Sequence, residues 1–276
     1  MKLMTASYIV TSRKLPRSFH GYRMAVLADL HNTSQGERRE QLIQALRDAQ
    51  VNTVLIAGDM VTEKGGEHSF VNYQEAEDFL LAVAAEWPVY YENGNHEGRW
   101  KLHQPLHPEL YEDYKNKLEA GGISFLENTS VFMKNSAGEK IRITGLELPD
   151  PFFRRGKIPK LTEEDIQGFV GPADEEYFQI LLAHCPQFFD AYMDWGADLV
   201  LSGHFHGGMV RLPFLGGVIS TYLHLFPKYD HGEFRRDSQH MIVSSGLGMH
   251  TLPLRINNPE ELVVIELRRE EKGTEK

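Results

Sequence analysis

The chain has 276 residues, of which 41% are hydrophobic and 25% charged. This is ordinary globular usage, which excludes wholesale disorder and collagen-like repeats and leaves room for one large domain or two modest ones. With Lys+Arg 29 against Asp+Glu 39 the net charge is -10, so long duplex nucleic acid is a poor partner, and one cysteine, Cys185, excludes an internal disulfide.

Residues 1–10 lack the apolar stretch and small-residue cleavage site of a signal peptide, and no apolar run is long enough to span a bilayer. The expectation is a soluble, cytoplasmic protein with no transmembrane segment, for which peripheral contact with a membrane stays open. Residues 22–28 form a short apolar run of the kind produced by a strand buried on both faces. Leu42, Ile43, Leu46 and Ala49 recur at helical spacing and predict a helix over 37–50. A second buried strand over 53–57 ends at Gly58, a helix over 74–86 stops at Trp87 and Pro88, and a third strand over 89–91 ends at Asn93 and Gly94. This βαβαβ order predicts parallel strands with right-handed crossovers.

The second half leans towards β structure. Segments 130–134 and 140–144 flank a turn-forming stretch and predict a hairpin, and 179–183, 199–201, 240–244 and 262–267 read as further strands. Segments 102–108 and 149–172, rich in Pro, Gly and charge, read as surface insertions, and 268–276 as a frayed tail. No composition break marks a linker, so residues 1–276 read as one domain of two packed sheets with outer helices.

Metal-ligand residue types recur where the apolar strands run out. Asp29 and His31 follow the first strand, Gly58 and Asp59 the second, and Gly94, Asn95, His96 and Glu97 the third; His184, then Gly203, His204 and His206, follow later strands. Strand C-termini of an open α/β sheet border the crevice where ligands bind, so five loops would deliver these residues to one place. Taken singly each has an ordinary explanation as a turn, a cap or a satisfied polar residue. Their recurrence in order, each at a strand end, points to a metal site. Mixed imidazole, carboxylate and carboxamide donors suit Mn, Fe, Zn, Co or Ni better than calcium, and the absence of cysteine donors argues against a structural zinc. Asp29, His31, Asp59, Asn95, His184, His204 and His206 are too many for one tetrahedral ion and suit two divalent transition-metal ions sharing a carboxylate, about 3.5–4 Å apart.

On these residues the chain resembles the calcineurin-like metallophosphoesterases, and within them a bacterial branch with a Gly-His-x-His-Gly-Gly block and an Arg-Leu-Pro-Phe stretch, here at 203–208 and 211–214. The resemblance implies a four-layer α/β/β/α sandwich of two mixed sheets with flanking helices. It implies that Asp29, His31 and His206 hold one metal, that Asn95, His184 and His204 hold the other, and that Asp59 bridges both. It further implies a phosphohydrolase in which a water shared by the ions becomes hydroxide and attacks phosphorus, with His96 above the metals protonating the leaving oxygen or steadying the transition state. The expected substrate is a small or lipid-linked phosphoester or pyrophosphate. A cyclic-nucleotide phosphodiesterase is the alternative enzyme, and a non-enzymatic scaffold on the same fold the alternative of another class.

Departures from the family pattern narrow this expectation. Where protein Ser/Thr phosphatases carry an Asp that orients the histidine, followed by an Arg, this chain has Thr62 and Glu63, so His96 lacks that partner and the phosphate that clamp. Phe205 and Met209 are expected to make the rim more apolar than usual. Segment 209–219 reads as core or as an acyl-contacting wall, and 152–157, two aromatics with three cations, as a solvated loop tip or a grip on an anionic, lipid-like substrate. Cys185 has no independent claim to nucleophilicity. His103, His107 and His250 read as surface or loop residues, and His224 and His231 as rim residues.

Overall fold

The computed structural model describes residues 3–34, 36–63, 71–103, 109–154, 156, 158–208, 210–212, 216–219, 227–248 and 255–271. In chain order the strands are β1 (Met4–Ser12), β2 (Arg23–Leu27), β3 (Thr53–Ala57), β4 (Val89–Glu92), β5 (Ile123–Phe125), β6 (Thr129–Lys134), β7 (Lys140–Gly145), β8 (Gln179–Leu182), β9 (Leu199–Ser202), β10 (Val210–Leu212), β11 (Gly216–Ile219), β12 (Gly232–Arg236), β13 (Gln239–Val243) and β14 (Glu261–Arg269). The helices are α1 (Glu37–Asp48), α2 (Gln74–Ala84), α3 (Asn95–His103), α4 (Glu109–Ala120), α5 (Glu163–Val170) and α6 (Phe189–Trp195). Every element expected from the sequence forms, with ends shifted by one or two residues.

Two six-stranded sheets are built from these strands, in the orders β1-β14-β2-β3-β4-β5 and β12-β13-β9-β8-β7-β6, and β10 pairs with β11. Both are mixed. In the first, β2, β3, β4 and β5 run parallel while β14 lies antiparallel to β2. In the second, β13, β9, β8 and β7 run parallel, and β6 closes the edge as the expected antiparallel hairpin with β7.

Side chains alternate across each strand, and both faces are apolar. Met24 and Val26 of β2, Leu55 and Ala57 of β3, and Val263 and Ile265 of β14 meet Ile141, Ile143, Ile180, Leu182, Leu199 and Leu201 of the second sheet in one buried cluster. The alternate residues, among them Ala25, Leu27, Val54 and Ile56, face Leu42 and Leu46 of α1, Phe79 and Leu80 of α2, and Tyr114 of α4. On the far side Leu181, Val200 and Met241 pack against Ile166 of α5 and Tyr192 of α6. The result is four layers, helices on sheet on sheet on helices.

Three segments differ from the sequence expectation. Residues 149–172, expected as a surface insertion, contain a 3₁₀ turn (Asp150–Phe153) and α5, and bury Phe153, Leu161 and Ile166. A reciprocal cap starts α5: Asp165 N–H donates to Thr162 Oγ1 at 3.3 Å and Thr162 N–H to Asp165 Oδ2 at 2.9 Å. Arg268 and Arg269, expected in a frayed tail, complete β14 against Thr11 and Ser12 of β1; residues 272–276 lie outside the described residues. Of the expected insertion at 102–108, Leu102 and His103 end α3 and the remainder lies outside the described residues.

The inter-sheet cluster carries a direct stability test. Leu201 is fully buried between the sheets, so Leu201→Ala removes methyl groups from a site flanked by strands that cannot collapse inward. Urea unfolding should show a loss of about 2–5 kcal/mol. A loss below about 1 kcal/mol would mean that the two sheets do not share this core.

Candidate metal centre

The parallel strands of both sheets end on the same side of the molecule, and the loops that follow them converge. Asp29 and His31 follow β2, Asp59 follows β3, Asn95 and His96 open α3 after β4, His184 follows β8, and His204 and His206 follow β9. All eight are buried, although six of their side chains are imidazole or carboxamide and two carboxylate. Backbone hydrogen bonds tie the loops together: Asp29 N–H donates to Gly58 O at 3.0 Å, His31 N–H to Asp59 O at 3.2 Å, and Gly203 N–H to His184 O at 3.1 Å.

The local backbone is strained where the candidate ligands sit. Asp29, His31, Asp59, His204 and His206 have φ of 52°, 51°, 57°, 74° and 50°. Left-handed backbone at non-glycine residues costs on the order of 1–3 kcal/mol each and persists only where surrounding structure enforces it. Asp and His tolerate it better than most residues, and here it turns the chain sharply at each strand end so that the side chains enter the crevice. Glycines roof the two carboxylates. A Cβ at Gly94 would lie 2.2 Å from Asp59 Oδ1, and one at Gly203 would lie 2.5 Å from Asp29 Oδ2.

Three groups of donors result: Asp29 with His31 and His206; His31 with Asp59 and His96; and Asp59 with His184 and His204. Asp29 Oδ1 lies 3.4 Å from His206 Nε2 and 4.0 Å from His31 Nε2, and the two Nε2 atoms are 3.0 Å apart. His184 Nε2 lies 3.1 Å from Asp59 Oδ2 and 3.8 Å from Asp29 Oδ1, which brings the groups side by side. Donors about 2.0–2.2 Å from one ion stand no more than about 4.4 Å from one another, so these separations fit divalent transition ions. His184 Nδ1–H donates to Ala57 O at 2.6 Å, so Nε2 is the ring nitrogen that faces Asp59, holding a proton there or offering its lone pair to a cation. The Asn95 amide sits between His204 Nδ1 at 2.8 Å and the Arg99 terminal nitrogens at 2.9 Å. With its nitrogen towards His204 it satisfies both neighbours by hydrogen bonds. With its oxygen there, two lone pairs meet at one point, the arrangement that a shared cation requires.

Electrostatics point the same way. Burial pushes the Asp29 carboxyl up to about 7, and the neighbouring Asp59 charge adds to the effect. Burial also opposes ionisation of Asp59, but His184, His96 and His31 around it outweigh that and hold it well below the usual carboxylate range. Burial alone would lower His184, yet the Asp59 charge beside it pushes that imidazole up to about 10. A buried cluster that raises an imidazole this far attracts cations, whether protons or metals.

His96 stands apart from the convergent pairs. Glu63 N–H donates to its Nδ1 at 2.8 Å, so the proton of the neutral ring sits on Nε2, which lies 3.9 Å from Asp59 Oδ2 and faces the centre. Where a carboxylate at 62 would accept from the ring, a backbone amide donates to it, so the ring is oriented but its Nδ1 is the acceptor. A cation is also present: Arg99 Nε lies 3.3 Å from Glu63 Oε2, with its other nitrogens at Asn95.

Glu97, named with the polar residues after the third strand but given no role there, clamps the site. Its carboxylate accepts from Asp59 N at 3.0 Å, Met60 N at 2.7 Å, Val61 N at 3.3 Å, Gly94 N at 3.0 Å and Tyr91 OH at 2.9 Å, fastening the β3 loop to the β4 loop. Asn258 does similar service, donating to Gly208 O at 2.8 Å beneath the His206 turn. Position next to His96 was the one sequence signal for Glu97; Asn258 had none. Phe205, expected on the rim, is buried, and Phe152 and Phe153 turn inward onto Phe188 and His204. Arg154 pairs with Asp150 at 2.6 Å, while Arg155, Lys157, Met209, His107, His224 and His250, and the side chain of His103, lie outside the described residues. His231 is bound to Glu261 at 2.9 Å. Burial raises the Cys185 thiol well above its ordinary value, which makes it a poor nucleophile. No helix among the described residues is long and apolar enough to cross a membrane.

The family model described as calcineurin-like phosphoesterase matches residues 22–208, more than half of the chain. An uncharacterized metallophosphoesterase of Bacillus subtilis, YkuE, is 26% identical over 96% of this chain and 85% of its own length. One from Helicobacter pylori strain 26695 is 26% identical over 89% of this chain, which spans 59% of that relative's length. Among solved structures, the protein TT1561 of Thermus thermophilus superposes with a TM-score of 0.48 at 11% identity, covering 82% of this chain and 89% of that one.

Glu97 yields a test of how the centre is held. Glu97→Ala leaves buried amide N–H groups without an acceptor, each worth about 1–3 kcal/mol, so urea unfolding should show a loss of at least about 3 kcal/mol. Metal affinity, measured against a competing chelator, should fall about 10–100-fold, with Glu97→Gln intermediate. Unchanged affinity in Glu97→Ala would show that the clamp does not position the centre.

Proposed function

Because the chain belongs to the calcineurin-like phosphoesterase family of metal-dependent hydrolases, we propose that it is a dinuclear phosphohydrolase acting on a small or lipid-linked phosphoester or pyrophosphate. The observation that carries this reading is that Asp29, His31 and His206 form one donor group and Asp59, His184 and His204 another beside it, with His184 Nε2 3.1 Å from Asp59 Oδ2 and 3.8 Å from Asp29 Oδ1. In this reading Asp29, His31 and His206 hold one ion, Asn95, His184 and His204 hold the second, and Asp59 belongs to both. Two divalent cations, when bound, activate a water as nucleophile and neutralise phosphate oxygens.

The chain's own residues do the rest. Asp59 fixes the spacing of the donor groups, held by Glu97 through its backbone and by His96 N–H on its Oδ1 at 2.8 Å. His96, with Nδ1 accepting from Glu63 N–H, presents Nε2–H to the leaving oxygen as a hydrogen-bond donor that steadies its developing charge. Arg99, its charge balanced by Glu63 at 3.3 Å, stands close to Asn95 and helps to fix that amide. The net charge of -10 favours compact substrates over long nucleic acid.

Metal content and hydrolysis of a phosphoester panel, measured on one preparation before and after chelation, test the reading. Activity should vanish with the metal and return with Mn or another transition ion. Full activity in the chelated protein, or none in protein holding two ions on any phosphoester or pyrophosphate, would overturn it. Asp59→Asn should cost more turnover than any other single ligand change; two bound metals with near-normal turnover would remove its shared role.

His96→Ala should keep both metals and lower kcat about 10²–10⁴-fold for an alkyl leaving group. For p-nitrophenolate, which departs without a proton, the loss should be much smaller. Lost metal would make His96 a ligand, and equal loss on both esters would place its action on the phosphate and not on the leaving oxygen.

A further inference from the structure

A cavity of about 280 Å³ opens beside the metal centre, between α3 and residues 147–153. We propose that it binds the organic group of the phosphoester, and that it takes a neutral, ring-bearing group of aryl or nucleoside size. The proposal rests on the phosphohydrolase reading and adds to it a substrate class.

Position is the first argument. Asn95, a candidate ligand, lines the cavity at one end, and so does Phe153, whose ring lies 5.7 Å from that of His204. An ester whose phosphate reaches the donors therefore has this space next to it. Chemistry is the second. Leu148, Pro149 and Phe153 form an apolar wall, with the exposed Leu102 beside them. The cations on the opposite wall are already neutralised: Arg99 by Glu63 at 3.3 Å, and Lys101 by Glu127 at 2.8 Å and Glu147 at 2.9 Å. Among the described lining residues no charge is left uncompensated, so the group that fits is uncharged, with an apolar face and a polar edge. Size is the third. At about 280 Å³ the space lies at the lower limit of small-molecule sites, roughly 300–1,000 Å³, which accommodates one ring system and not an extended acyl chain.

Gly98 supplies the fourth. It lies inside α3 without the positive φ that would demand glycine, and glycine is the poorest helix former apart from proline. A Cβ there would meet nothing closer than Glu147 Oε1 at 3.9 Å, whereas at Gly94 and Gly203 it would collide with a carboxylate. Neither backbone conformation nor packing requires glycine at 98. What its missing side chain provides is the open volume of the cavity that it lines.

The test is calorimetric titration of the Mn²⁺-loaded protein with methyl, phenyl and octyl phosphate. Wild type should bind phenyl phosphate at least tenfold more tightly than methyl phosphate. Gly98→Leu, which fills the cavity, should erase that preference and leave methyl phosphate affinity unchanged, with Gly98→Ala intermediate and the Tm of both variants at or above wild type. Should Gly98→Leu fail to fold, Gly98→Ala decides, because any reduction in the phenyl preference supports the proposal and none overturns it. A phenyl preference that survives in Gly98→Leu, or an octyl phosphate that binds more tightly than phenyl, overturns it. If methyl phosphate binds and phenyl gains nothing, this proposal fails alone. If no phosphate ester binds the loaded protein, the phosphohydrolase reading fails and takes the proposal with it.

Discussion

Two carboxylates, Asp29 and Asp59, lie buried side by side where the strands of both sheets end. Removing charge from water is costly, and two like charges in one dry site add to that cost. The opposite responses of the pair follow: Asp29 is driven upward by burial, while the imidazoles around Asp59 hold it ionised. Fixed positive charge between the carboxylates relieves both burdens at once, so the centre is built around donors that fit divalent ions. The left-handed turns at five candidate ligands and the glycine roofs at 94 and 203 are what this concentration of polar groups demands of the backbone.

Holding such a site requires support from chain segments far apart in sequence. Gly248 N–H donates to Asp29 O at 2.7 Å, and His204 N–H donates to the Asp29 carboxylate at 3.0 Å, so two loops that follow strands of the second sheet grip a residue that follows a strand of the first. Glu97 grips the other carboxylate's loop through consecutive amides. The interlocked sheets beneath leave these loops little freedom, since each begins on a strand buried on both faces. Rigid donors with fixed spacing select an ion before any substrate arrives.

The substrate side is organised differently. Residues 147–153 leave β7, cross beside α3 and place Phe153 against the candidate ligand His204, so the wall of the cavity and the metal centre share a side chain. Charges along α3 are absorbed by Glu63, Glu127 and Glu147, which keeps the space beside the centre electrically quiet while the centre itself is highly charged. In the proposed reading a phosphate and its organic substituent meet two unlike environments side by side.

Local sequence determined what depends on local physics. Apolar runs such as 53–57 specify strands buried on both faces, and the Gly, Asp and His residues that follow them specify where chemistry sits, because strand ends must turn and a parallel sheet gathers its ends on one edge. The eight candidate residues stand at strand ends for that reason, and the structure brings them together. The first strand was not: Met4–Ser12 alternates weakly because it lies at an edge, and only its pairing with β14 makes it a strand. Helix α3 was hidden too, since its first turn is occupied by Asn95 and His96 and carries no apolar stripe. The amide of Glu63 on His96, the clamp of Glu97, the nearness of Arg99 to Asn95 and the open space at Gly98 were decided by tertiary structure. Each joins groups that periodicity cannot relate, because a hydrogen bond or a cavity spanning distant segments depends on how the layers pack and not on any residue's neighbours in the chain.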